Sequence, residues 1–155
     1  MSSSVWTHAH SIVVQDPSWS VVHFGPSATV TPSGSGADLE NWVHFAIPIF
    51  TEGQNTGNTV TGVSLRFSIG NQAHVTAINV WDGDIFEANP TGGDLPISNE
   101  PTAVTHYWGV SPNTTFLQYG LGISVQVKFD GAGQTASGAW VTFNAAGAFF
   151  TISEN

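Results

Sequence analysis

Leu121-Gly122-Ile123-Ser124-Val125-Gln126-Val127-Lys128-Phe129 alternates without a break, with Leu121, Ile123, Val125, Val127 and Phe129 on one side and Ser124, Gln126 and Lys128 on the other. A period of two is that of an extended strand with one dry and one wet face, the pattern of an antiparallel sheet packed on a core. Val63-Ser64-Leu65-Arg66-Phe67-Ser68-Ile69 repeats it. Working outward, β-branched and aromatic runs predict strands near 11–14, 19–24, 42–47, 60–69, 74–81, 104–110, 120–129, 140–143 and 149–152. No window carries a helical apolar stripe that Gly or Pro does not interrupt. Turn-forming residues fill the gaps, as in Pro32-Ser33-Gly34-Ser35-Gly36, residues 51–58, Asn89-Pro90-Thr91-Gly92-Gly93-Asp94 and Asp130-Gly131-Ala132-Gly133. Many short strands at this spacing predict one all-β domain over residues 1–155, an antiparallel two-sheet sandwich or jelly-roll-like fold. The stretch 86–101, with three prolines and Glu87, Asp94 and Glu100, reads as a long irregular connection.

A chain of 155 residues is long enough to bury about 70% of its unfolded surface, so neither a metal nor a disulfide is needed for folding, and cysteine is absent. Lys128 and Arg66 are the only cations against eleven carboxylates, a formal net charge of -9. Two cations cannot neutralise a run of phosphates or hold an anionic lipid surface, so nucleic acid and membrane are not expected partners. Neutral or cationic partners remain. Met1-Ser2-Ser3-Ser4-Val5-Trp6 lacks the basic and apolar regions of a secretory signal, and no stretch has the length of an apolar span; the expectation is a soluble chain. Asn113-Thr114-Thr115 matches a glycosylation acceptor.

Several residues bear on chemistry. Val80-Trp81-Asp82-Gly83-Asp84 ends a strand in a turn with two carboxylates, which reads either as a plain Asp-Gly turn or as oxygen ligands for calcium, Asp82 and Asp84 being the ligands. His8 and His10, two apart, would share a strand face and could hold a transition metal given a third ligand; solvated histidines are the simpler reading. His44 shares a face with Trp42 and Ala46, opposite Val43, Phe45 and Ile47. If their strands adjoined, Trp42, His44, His106 and Trp108 would line one groove. Among the aromatics, Trp19, between Ser18 and Ser20, and Tyr119, beside a turn glycine, are those expected to be exposed for stacking on a sugar. Ser33 and Ser35 fall in Gly- and Ser-rich sequence without the strand-turn-helix setting of a catalytic serine. No pair of carboxylates stands out as a glycosidase couple.

Val5-Trp6-Thr7-His8, Asn41-Trp42-Val43-His44-Phe45-Ala46-Ile47-Pro48, Val80-Trp81-Asp82-Gly83 and the run 121–129 together resemble an uncharacterised family of small bacterial proteins. The resemblance implies a β-sandwich and no assigned activity, so no functional residue carries over from it. The sequence therefore favours a non-catalytic module, either lectin-like and binding a neutral glycan, with calcium as an optional cofactor, or a self-associating protomer of a homo-oligomer. The alternative is a metal- or carboxylate-dependent enzyme acting on carbohydrate.

Overall fold

The alternating runs form strands because each buries one face. In the computed structural model, which describes residues 2–33, 39–49, 58–90, 95–110, 117, 119–130 and 138–152, the order is β1 (Ser2–His8), a 3-10 turn (Ala9–Ser11), β2 (Val13–Val14), β3 (Ser20–Phe24), β4 (Ser27–Thr31), β5 (Leu39–Ile47), β6 (Asn58–Asp82), β7 (Ile85–Ala88), β8 (Ile97–Gly109), β9 (Leu121–Phe129) and β10 (Val141–Ile152). Asn113-Thr114-Thr115, Ser35, Asp94 and the loop 51–57 lie outside the described residues.

All pairings are antiparallel, in the order β2-β5-β9-β6-β10-β4-β3, with β1 added to β10 and with β7 and β8 added to β6. The 25-residue β6 joins the two halves. Its residues 58–69 pair with β10, and 73–82 pair with β9. The sheet thereby doubles over on itself. Phe45 of β5 meets Phe143 of β10 with ring centroids 5.4 Å apart, which makes the two halves the layers of a β-sandwich of jelly-roll type. Val43, Phe45, Ile123, Val125, Leu65 and Phe67, all on the expected dry faces, are buried between them.

The separate strands expected at 60–69 and 74–81 are one. Gly70 N–H donates to Trp140 O (3.0 Å) and Gln72 N–H to Gly138 O (3.1 Å), so the residues that resemble a turn stay bonded to neighbouring backbone. Likewise 140–143 and 149–152 are the two ends of β10, continuous through a register shift between Phe143 and Ala145. Much of the expected irregular connection 86–101 is strand, in β7 and the start of β8. The run 11–14 divides into the end of the 3-10 turn and the two-residue β2.

Candidate functional site

On β5, Val43 and Phe45 point inward, so Trp42, His44 and Ala46 point outward, as their alternation requires. The register extends this outer face across three strands. His44 stands opposite Ser124, which stands opposite Asn79; Trp42 stands opposite Gln126, and Gly122 opposite Trp81. The result is a polar row of His44, Ser124 and Asn79 with an indole at each diagonal corner. Trp42 and Trp81 are both half-buried. They are two strands and four residues apart, roughly 16 Å by the usual sheet spacings. Gly122 presents no side chain beside Trp81, and a methyl group there would lie 3.6 Å from Trp81 Cβ. Phe86 of β7 meets the Trp81 ring edge-on, centroids 5.3 Å apart.

Polar contacts hold this face in place. His44 Nδ1 lies 2.8 Å from Ser124 Oγ. Burial holds the His44 imidazole below its ordinary pKa of 6.5, so it is neutral at pH 7 and offers one donor and one acceptor. Thr76 Oγ1 donates to Gln126 Oε1 (3.0 Å) and fixes that amide on the surface. Beside the row a cleft of about 370 Å³ opens between Ser11 and Val13 on one side and Tyr119 and Gly120 on the other, with His44 and Ala46 at its base.

Asp82 holds the Tyr119–Gly120 wall of that cleft from behind. Its carboxylate is buried, and Oδ1 accepts the backbone N–H groups of Tyr119 (2.8 Å) and Gly120 (3.0 Å), while Gly83 N–H donates to Gly120 O (2.9 Å). The Tyr119 ring, 69% exposed, is thereby held at the cleft mouth.

His44 and Tyr119 thus line one cleft with Asp82 bonded behind Tyr119, Trp42 shares the outer face of His44 but is not among the residues that line the cleft, and the remaining residues singled out in the sequence are elsewhere. Trp19, expected to be exposed, is 5% exposed with its ring 4.9 Å from that of Phe129. The turn before it folds it inward: Asp16 Oδ1 accepts Ser18 N–H, and Asn41 Oδ1 accepts Asp16 N–H. The Ser18 bonds also hold the Asp16 carboxyl below its ordinary pKa. Trp108 is buried opposite Val63. His106 lies between the rings of Phe67 and Trp108 and bonds Glu100 through Nε2 (2.7 Å). The groove that would have joined His106 and Trp108 to His44 does not form, because β8 lies on β6 while β5 lies between β2 and β9.

The candidate metal residues are also resolved. Asp82 is turned to backbone N–H groups, whereas Asp84 is exposed on the turn. His8 ends β1 and His10 lies in the 3-10 turn, so they do not share a strand face, although their rings meet at 4.7 Å. His10 Nε2 bonds Phe24 O (2.9 Å), and its ring touches His23 at 5.6 Å. Among the described residues, no group of three His, Asp or Glu side chains is arranged to hold a metal ion.

The sequence reading missed Asn79, Ser124 and Gln126 as site residues. Their alternation marks them as outward-facing, but their convergence depends on pairings between strands distant in sequence.

No protein-family model and no curated sequence matches this chain. Among solved structures it is similar over its whole length to the xylan-binding module CBM15, with 100% of each chain covered, a TM-score of 0.57 and 11% identity. It also aligns with CBM29_1, a family 29 carbohydrate binding module from Piromyces equi (11% identity, 96% of this chain and 92% of that one, TM-score 0.49), and with CBM86, a xylan binding module from Roseburia intestinalis (11% identity, 97% and 96%, TM-score 0.49). At such identity the likeness to CBM15 is one of fold.

Proposed function

We propose that this chain is a non-catalytic carbohydrate-binding module that takes a neutral chain of pyranose sugars along the outer face of β5, β9 and β6. The observation that carries the reading is the placing of Trp42 and Trp81 at opposite corners of the row His44, Ser124 and Asn79. A pyranose ring has a C–H-rich face and a rim of hydroxyls. The electron-rich faces of indoles accept the former, and amides, hydroxyls and a neutral imidazole bond the latter. A separation of roughly 16 Å suits an oligosaccharide better than a single sugar. The sandwich shared with the xylan-binding module CBM15 supports the reading. The net charge of -9 favours a neutral ligand.

Calorimetric titration with xylohexaose, cellohexaose and mannohexaose tests it. At least one should bind, and Trp42→Ala and Trp81→Ala should each weaken that binding by about tenfold, equivalent to ~1.4 kcal/mol, with little change in melting temperature. Failure of all three sugars to bind, or undiminished binding by both folded variants, would overturn the proposal.

A further inference from the structure

The opposite sheet carries a second set of aromatic rings, on strands that take no part in the face described above. Trp6 of β1 is 42% exposed and Tyr107 of β8 is 53% exposed. Each lies over a glycine. A methyl group built on Gly147 would fall 2.5 Å from Trp6 Cδ2, 2.7 Å from Cε3 and 2.9 Å from Cε2, and one built on Gly62 would fall 2.5 Å from Tyr107 Cε2 and Cζ. Both residues at these positions lack a Cβ where a ring rests on the backbone, so each ring is seated against the sheet with its far side open. Phe149 stands between them edge-on, at 6.2 Å and 82° to Trp6 and at 5.3 Å and 75° to Tyr107. Tyr107 Oη donates to Thr61 O at 3.4 Å, which anchors the ring at its outer end.

The segments that carry these rings hold a cation and no acid. None of the eleven carboxylates lies in β1 or β10, or at 58–69 of β6 or 101–109 of β8. One of the two cations does: Arg66, exposed, stands two residues along β6 from Ser64, which faces Tyr107 across the ladder. Its Nη1 donates to Thr105 Oγ1 (3.2 Å), so the guanidinium is held along β8 on the side of Tyr107 and keeps further N–H groups for a ligand.

We infer that Trp6, Tyr107 and Arg66 form a second carbohydrate surface, distinct in face and in ligand from the first, which takes a pyranose chain bearing a carboxylate: the rings stack on the sugars and the Arg66 fork binds the acid. A planar guanidinium pairs with a carboxylate through two parallel N–H donors. Glu100, the carboxylate of β8, is already bonded to His106, and at physiological ionic strength exposed charges more than about 8 Å apart are largely screened.

The probe is xylotriose carrying one glucuronic acid branch, compared by calorimetry with its methyl ester, which keeps the sugars and removes the charge. The acid should bind at least fivefold tighter than the ester. Arg66→Gln, an exposed substitution, should abolish that preference, and Trp6→Ala should weaken binding of the acid by about tenfold. Melting curves confirm that each variant is folded, and Tyr107→Leu replaces Trp6→Ala if the latter is not. Equal binding of acid and ester by the wild type, or a preference that survives Arg66→Gln, would overturn the inference. If neutral hexaoses fail to bind while this preference is seen, the first surface is refuted and the second stands.

Discussion

Asp82 sits two residues before Asp84, in a turn whose Gly83 has φ +60°, and the sequence reads the pair either as a plain Asp-Gly turn or as hard-cation ligands. Its burial and the backbone N–H groups it accepts make it a clamp on Tyr119 and Gly120. Removing the carboxylate in Asp82→Ala leaves two N–H groups without their acceptor, and each unsatisfied buried donor costs ~1–3 kcal/mol. Asp82→Asn keeps a side-chain oxygen for the same N–H groups. We expect Asp82→Ala to lose about 2 kcal/mol or more in urea unfolding and Asp82→Asn distinctly less, with or without EDTA. A loss seen only after chelation would return Asp82 to the role of metal ligand. Trp19 teaches a related lesson. Its serine neighbours suggest exposure, but the bonds between Asp16, Ser18 and Asn41 turn the chain inward, and Asn41 is 25 residues from Asp16.

At the scale of elements, alternation made β5, β9 and the inner faces of β6 legible in the sequence, because each has one dry and one wet side. The edges and joins were not. β1 begins Ser2-Ser3-Ser4, with no apolar alternation until Val5, and β4 is a five-residue run with only one large apolar side chain, Val30. β10 reads as two strands because Ala145, Ala146, Gly147 and Ala148 are small, yet smallness at Gly147 is what admits the Trp6 ring that helps dock β1. Gly147→Val would put a side chain where that ring lies, so it should detach β1 while leaving β10 paired with β6. The expected outcome is fast amide hydrogen exchange across 2–8 with protection retained across 63–69. Unchanged protection of β1 would show that the ring can move aside without loss of pairing.

At the scale of the whole molecule, the charge balance was the most informative quantity in the sequence, since two cations argue against a run of phosphates as ligand whatever the fold. The composition could not locate a site, because the face shared by Trp42 and Trp81 exists only once β5, β9 and β6 lie side by side, and β9, which lies between the other two, comes last of the three in sequence. The same balance leads to a prediction about the proposed neutral ligand. Binding driven by ion pairing releases counterions and falls steeply with added salt, whereas stacking and hydrogen bonding to uncharged sugars release none. The affinity for a neutral hexaose should therefore stay within about twofold between 50 and 500 mM sodium chloride, a range over which the Debye length shortens roughly threefold. A fall of tenfold or more would mean that charged groups carry the binding, and the row of His44, Ser124 and Asn79, which is neutral at pH 7, could not then be its main seat.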